Sequence, residues 1–270
     1  MSVVRLQILI ASFGRRVEGL DPANLPRVDG VEYIVSCQNP DGLDLDISAF
    51  DGRDDVRIHF YNDEGLSANR NHLLDLATAN YMLLSDDDLI YHADGIIDLI
   101  DTFEADPGID MVTTRAVVPE PHVYPVDWHD LCKPCRFYDP ISFEIALRRK
   151  SVVSGGVRFS ILTGIGAPYL AAGEENFFYR HCIKSGMKGV FRDIVVSEHP
   201  GLTTCTHSAA SPGVIRTKGA FMPFARGYFG ALIRLPLEAW RARRVLVPFP
   251  KALLYLSQGY LYFLRHRKDL

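Results

Sequence analysis

Tyr81-Met82-Leu83-Leu84-Ser85-Asp86-Asp87-Asp88 runs four apolar residues straight into a serine and three carboxylates. A short apolar run without polar alternation fits a strand covered on both faces, and such strands belong to parallel sheets. The same pattern recurs upstream. Residues 3–11 end in Ser12-Phe13-Gly14, residues 31–35 run into Ser36-Cys37-Gln38-Asn39-Pro40, and residues 56–61 lead to Asn62-Asp63-Glu64-Gly65. Residues 67–79 predict a helix capped by Ser67, with Leu73, Leu74, Leu76 and Ala77 as its apolar face. Residues 94–104 predict a second helix and residues 109–113 a further strand. Strands and helices thus alternate over the first 115 residues, which predicts a mostly parallel α/β sheet flanked by helices. In such sheets ligands gather at the carboxyl ends of the strands, where the polar clusters fall.

The bulk composition agrees. The chain has 270 residues, 47% of them hydrophobic and 23% charged, which suits a packed core and excludes global disorder. Residues 1–10 lack the basic start, long apolar stretch and small-residue cleavage site of a secretory signal, so a cytoplasmic location is expected. Five scattered cysteines, an odd number, suit a reducing compartment. The net charge of −4 conceals a division. Residues 215–270 hold 11 Lys or Arg against 2 Asp or Glu, whereas the rest of the chain holds 18 against 31.

Residues 115–160 are rich in Pro, aromatic and Cys residues and give no clear element. Beyond them, Gly173-Glu174-Glu175 opens a helix to about Lys184, stopped by Gly186. Residues 190–196 read as a pair of strands leading to Glu198-His199-Pro200. Three carboxylates at a strand end repel one another, and a hard divalent cation with oxygen ligands would relieve that repulsion. A solvated turn in which one Asp caps the next element is the plainer account. Acidic residues such as Glu174 and Glu175 in a first helical turn likewise stabilise the helix by about 0.3–1 kcal/mol without any catalytic role.

The stretch Gly65-Leu66-Ser67-Ala68-Asn69-Arg70-Asn71, the following helix and the strand ending in Asp86-Asp87-Asp88 together resemble the nucleotide-sugar half of family 2 glycosyltransferases. Ile10-Ala11-Ser12-Phe13-Gly14-Arg15 resembles that family's nucleotide-base loop. Arg158-Phe159 through Gly164-Ile165-Gly166, with Gly173-Glu174-Glu175-Asn176-Phe177-Phe178-Tyr179-Arg180, resembles its acceptor-side segment. The resemblance covers about residues 3–200 and rests on the order of the motifs. It implies a GT-A, Rossmann-like domain over 1–214, with a nucleotide-sugar half (1–115) and an acceptor half (116–214).

The resemblance also implies roles. Ser12 and Phe13 line the base pocket, Arg70 approaches the nucleotide or its phosphates, and Asp86 and Asp87 complete the donor side. Asp88 is the direct ligand of Mn²⁺ or Mg²⁺, with Asp86 nearer the ribose or the metal's outer shell, and His199 stands where some relatives add a histidine ligand. Many relatives carry an Asp after the second strand, where this chain has Ser36-Cys37-Gln38-Asn39; Gln38 or Asn39 is the expected substitute. Glu175, or else Glu174, is the expected catalytic base of an inverting transfer. The implied donor is a nucleotide-diphosphate sugar, with UDP favoured, and the acceptor a glycan or lipid-linked hydroxyl in cell-envelope polysaccharide synthesis. The triple aspartate and paired glutamates are then expected to face one cleft.

Residues 215–270 form a basic extension in which Pro236, Pro248 and Pro250 are expected to break the chain into short helices. Its longest clean apolar stretch, 252–264, is too short to span a bilayer, which takes about 20 residues. A basic amphipathic surface on anionic lipid at the inner membrane face, or packing and homodimer formation, accounts for it. No motif points to nucleic acid. Cys132-Lys133-Pro134-Cys135 lacks a second Cys pair and reads as ordinary thiols, with His122 and His129 at no familiar metal spacing. Trp128, Tyr124 and Tyr138 suit sugar stacking or core packing equally. Two rivals remain: a metal-dependent nucleotidyltransferase or phosphohydrolase using Asp86–Asp88, and a non-catalytic carbohydrate-binding relative.

Overall fold

A computed structural model describes residues 3–119, 122–133, 138–201 and 209–270. Cys135 and Cys205 lie outside the described residues. The described chain forms two compact units, 1–64 with 68–158 and 181–201, and 65–67 with 159–180 and 202–270. The acceptor-side segment 159–180 therefore groups with the C-terminal helices, a division that differs from a boundary at residue 214.

The first unit holds a nine-stranded sheet. Its strands are β1 (Leu6–Phe13), β2 (Val31–Gln38), β3 (Val56–Tyr61), β4 (Tyr81–Asp86), β5 (Ile90–Tyr91), β6 (Met111–Val117), β7 (His129–Asp130), β8 (Ile145–Arg148) and β9 (Gly189–Glu198). The order is β3-β2-β1-β4-β8-β6-β9-β5, with β7 also on β9. β3, β2, β1 and β4 pair in parallel, and β6 and β9 continue in that direction. The short strands β8, β5 and β7 run the other way. β8 is only four residues long and is inserted between β4 and β6, which explains why no period marks it in the sequence.

The helices are α1 (Leu66–Leu76), α2 (Ala93–Ala105), α3 (Arg149–Gly155), α4 (Glu174–Lys184), α5 (Pro212–Arg226), α6 (Tyr228–Arg241) and α7 (Phe249–His266). β1 and β4 are buried along nearly their whole length, as continuous apolar runs require. The core of this unit gathers Leu6, Ile8 and Ile10 with Tyr33, Leu83, Ile96, Leu99, Phe103 and Val196.

Several expectations need correction. α1 starts before Ser67, whose hydroxyl donates to the Thr163 carbonyl at 2.6 Å instead of capping the helix, and it ends at Leu76. β9 is one ten-residue strand, because a register irregularity against β6 bends it without breaking the pairing. The prolines divide the tail only in part: Pro248 stands immediately before α7, at a helix boundary as expected. Pro236 lies inside α6 and Pro223 inside α5, while Pro250 occupies the first turn of α7, where its missing N–H costs nothing. Two apolar clusters, one around Ile215, Leu235 and Leu256 and one around Phe177, Phe224 and Phe263, hold the second unit together. No helix among the described residues is long and apolar enough to cross a membrane.

Candidate functional site

The parallel strands β1, β2, β3 and β4 deliver their polar ends to one edge of the sheet. β1 pairs with β4 so that Ala11 stands beside Asp86, and with β2 so that Phe13 stands beside Gln38. The three aspartates leave this edge in different directions and each finds a different partner.

Asp86 closes β4. Its Oδ1 accepts from the Arg70 guanidinium of α1 at 2.9 Å and its Oδ2 from the Ser142 hydroxyl at 3.3 Å. Arg70, expected to approach the nucleotide or its phosphates, is a buried partner of this carboxylate. Asp87 is 3% exposed and accepts from the Ser12 hydroxyl at 2.6 Å and from both Nε and Nη2 of Arg16. Ser12 is thereby committed to Asp87, and its carbonyl accepts from the Asn69 amide at 2.9 Å. Phe13 remains half exposed at the strand end. Arg16 Nη2 also reaches Asp88 Oδ2 at 3.0 Å. The hydrogen bond with Asp87 raises the Arg16 pKa above its ordinary value, against partial desolvation, and the charges of Asp87 and Asp88 add to the effect.

Protein cations thus answer the carboxylate repulsion, Arg70 at Asp86 and Arg16 at Asp87 and Asp88. Divalent metal is not needed for that purpose, which corrects the electrostatic argument made from the sequence. Arg16 was missed there. Three clustered carboxylates demand counter-charge, and the loop after the neighbouring strand was the place to seek it.

Asp88 and His199 form the remaining pair. His199 follows β9, and its Nε2 lies 3.4 Å from Asp88 Oδ1. Its Nδ1 lies 2.6 Å from the Gly201 carbonyl, which can only accept, so the network assigns the ring proton to Nδ1. In a neutral ring Nε2 is then an acceptor facing a carboxylate, an arrangement that asks for a cation between them. Two such ligands, with phosphate oxygens and water completing the shell, suit Mn²⁺ or Mg²⁺. Asp86 does not join them: among the described residues no group of three or more His, Cys, Asp or Glu is placed to hold a metal ion.

At the ends of β2 and β3, Gln38 donates to Asp63 Oδ1 at 3.0 Å, and the His72 ring, stacked on Tyr61, reaches Asp63 Oδ2 at 2.6 Å. Asn39 instead closes its own turn, bonding the Leu43 backbone at both ends of its amide. Asp63 thus places a carboxylate beside Gln38 at the ends of β2 and β3.

In the second unit, Glu174 is buried and Glu175 half-buried at the start of α4. Gly164 has φ +100°, and a Cβ there would lie 3.1 Å from both the Glu174 carboxylate and the Ser67 hydroxyl. Only glycine allows both that backbone and that approach. Asn176 donates to Glu175 Oε1 at 2.5 Å. Cys37 and Cys182 are buried, and burial pushes their thiols up to about 11 and about 12, as expected of inert packing groups.

The model described as glycosyl transferase family 2 matches residues 41–162. No curated protein matches the sequence. Among solved structures, S. aureus TarS 1-349 in complex with UDP-GlcNAc is 12% identical with a TM-score of 0.61, over 96% of this chain and 91% of that one. Glucosyl-3-phosphoglycerate synthase from Mycobacterium tuberculosis, in complex with Mg²⁺ and UDP, is 16% identical with a TM-score of 0.53, over 79% and 77%. A longer TarS structure is 10% identical with a TM-score of 0.57, and the chain spans 42% of its length. What these structures share with the chain is the fold.

Proposed function

We propose that this chain is a family 2 glycosyltransferase of GT-A fold that transfers a sugar, with inversion, from a UDP-sugar to an acceptor hydroxyl. The observation that carries the reading is the Asp88–His199 pair, a carboxylate oxygen and an imidazole Nε2 3.4 Å apart at the carboxyl edge of a parallel sheet. The UDP and UDP-GlcNAc complexes of proteins with this fold support the choice of donor.

In this reading Asp88 and His199 hold Mn²⁺ or Mg²⁺. When bound, the ion stabilises charge on the departing diphosphate. The Gly201 carbonyl fixes the His199 tautomer, so Nε2 is presented without a proton. Phe13 stacks on the base, and the Gln38–Asp63 pair offers an amide and a carboxylate to its polar edge. Asp87 acts through Arg16, which it holds beside Asp88. Glu175 is the base that takes the acceptor hydroxyl proton as that oxygen attacks the anomeric carbon. Burial against Gly164 suits Glu174 to a structural part.

The acceptor is a glycan or lipid-linked hydroxyl of cell-envelope polysaccharide, and the second unit supplies the contact with an anionic bilayer at the inner membrane face. Phe229 and Ile233 are 83% and 80% exposed on α6, Trp240 of the same helix is half exposed, and Leu246, in the turn beyond it, is 93% exposed. Arg241, Arg243, Arg244 and Lys251 lie alongside in sequence, and only two acidic residues occur beyond residue 214. Apolar and aromatic side chains bordered by basic ones are the composition of an interfacial element. Phe229→Ser with Ile233→Ser should release the protein from phosphatidylglycerol vesicles; a wild type that forms dimers and ignores the vesicles would assign these exposed side chains to a second copy.

The donor reading is tested by ligand-induced thermal stabilisation across nucleotide sugars with Mn²⁺. UDP-sugars should stabilise the wild type in a Mn²⁺-dependent way and leave Asp88→Ala unmoved. Equal stabilisation of that variant would refute the cation site. Release of free phosphate or pyrophosphate in place of a glycoside product would favour phosphoryl or nucleotidyl chemistry.

A further inference from the structure

Three consecutive buried residues, Ser142, Phe143 and Glu144, form a single 3-10 turn immediately before β8. Each touches something different. Ser142 donates to Asp86 Oδ2 at 3.3 Å. The Phe143 ring lies nearly parallel to the His199 imidazole, 9° between planes and 5.8 Å between centroids. Glu144 turns away from both, into the protein interior.

Glu144 is wholly buried, yet it is an acid. Its Oε2 accepts from the Ile141 N–H at 2.9 Å, closing the turn on itself. Its Oε1 lies 2.7 Å from the Tyr124 hydroxyl. That hydroxyl already accepts from the Ala116 N–H at 3.2 Å and lies 2.9 Å from the Ala116 carbonyl. A phenol has one proton. If Tyr124 gives it to the Ala116 carbonyl, the contact with Glu144 is satisfied only when Glu144 carries a proton of its own and donates it. Burial, the largest influence, pushes the Glu144 carboxyl up to about 7 even though hydrogen bonds from Tyr124 and the backbone oppose it. His122 Nε2 lies 3.8 Å from Glu144 Oε2 and the charge of Arg115 also favours the carboxylate, but burial outweighs them.

We propose that the Ser142–Glu144 turn is a positioning element for the donor-side machinery, and that Glu144, hydrogen-bonded to Tyr124 and to the Ile141 N–H, is the residue that anchors it. Through Ser142 the turn fixes the Asp86 carboxylate, and through Phe143 it fixes the plane of the His199 ring. A ring whose Nδ1 is tied to Gly201 and whose face is held by Phe143 has one direction left for Nε2, toward Asp88. The inference rests on the reading of Asp88 and His199 as cation ligands. It adds that their geometry is set from a buried carboxyl that touches neither.

The test measures Mn²⁺ binding with UDP present, from the fall of the free Mn²⁺ resonance signal, at a temperature well below unfolding. The variants are Glu144→Gln, Glu144→Ala, Tyr124→Phe and Phe143→Leu, with Asp88→Ala as control. Gln keeps one donor and one acceptor in the shape of a protonated Glu, so Glu144→Gln should stay within about twofold of wild type. Glu144→Ala should weaken Mn²⁺ binding roughly tenfold, the scale on which outer partners of metal ligands act. Tyr124→Phe and Phe143→Leu should each weaken it about threefold or more; Phe143→Leu keeps the site apolar and serves where Glu144→Ala does not fold. A Glu144→Ala or Phe143→Leu protein with a lower Tm but unchanged Mn²⁺ affinity would overturn the positioning role. A Glu144→Gln protein as weak as Glu144→Ala would overturn the neutral-acid anchor. Binding unaffected by Asp88→Ala would remove the cation site itself, a failure distinct from either.

Discussion

Replacing Arg16 with methionine should weaken the fold while strengthening the cation response, and the opposite signs make the experiment informative. Methionine keeps most of the side-chain length but removes the guanidinium that reaches Asp87 through Nε at 3.0 Å and through Nη2, and Asp88 Oδ2 at 3.0 Å. Asp87 is 3% exposed, so after the change its carboxylate keeps only the Ser12 hydroxyl among its side-chain partners here. Breaking a fully buried pair from one side costs about 3–5 kcal/mol. Arg16 itself is 56% exposed, however, and exposed pairs are worth about 0–1 kcal/mol. The pair lies between these limits, and a loss of about 2 kcal/mol is expected. For a chain of this size that lowers Tm by roughly 4–8 °C. The folded-state pKa of Arg16 is raised from a value already far above neutrality, so its contribution is fully present below that value and constant from pH 5 to 9. Asp88, 44% exposed, is meanwhile relieved of a competing cation, which should tighten Mn²⁺ binding about two- to fivefold, the equivalent of one exposed ion pair. Differential scanning fluorimetry without metal, followed by Mn²⁺ titration, reads both quantities. An unchanged Tm with unchanged or weaker Mn²⁺ binding would refute this account of Arg16.

Glu175→Gln should leave Mn²⁺-dependent UDP binding within twofold and reduce transfer by at least about 10²-fold, the usual scale for a lost general base; undiminished turnover would remove Glu175 from that role. Between pH 4.5 and about 7 the unfolded Glu144 releases its proton while the folded one retains it, so stability should fall with rising pH by roughly 1 kcal/mol per unit in that window. Urea midpoints measured at pH 5 and 7 should show that slope in wild type and lose it in Glu144→Gln. A Cβ at Gly259 would come 1.9 Å from the Arg216 carbonyl oxygen, so Gly259→Ala should force α5 from α7 and lower stability by about 3 kcal/mol. The same change at Gly230, where the nearest atom is 3.7 Å away, should raise stability by about 0.5–1 kcal/mol. Equal Tm shifts from the two alanines would contradict the close packing of α5 on α7.

The layered α/β architecture was legible because β1, β4 and most of β2 are buried apolar runs, and a strand buried on both faces has little choice of neighbour. The helix at Glu174 was legible for a similarly local reason, acidic residues in its first turn and glycine beyond its last. β8 was not legible, since four residues carry too little periodicity and what makes them a strand is the gap between β4 and β6. Nor did Pro236 mark a helix end, because packing of Leu235 and Ala239 holds α6 through it.

Within the candidate site, the sequence by itself determined which residue types arrive at the sheet edge, because strand direction carries Ser12, Phe13, Gln38 and the three aspartates there together. It also determined that those aspartates need cations. Which side chain serves which carboxylate was decided only in three dimensions, since Arg16, Ser142 and His199 lie 71, 56 and 111 positions from their aspartate partners. Charge pairing follows distance through space, and chain composition carries no record of that distance. The same reason hides Glu144 from any reading of sequence: its burial and its hydrogen bond to Tyr124 exist only once β6, β8 and β9 have closed around it.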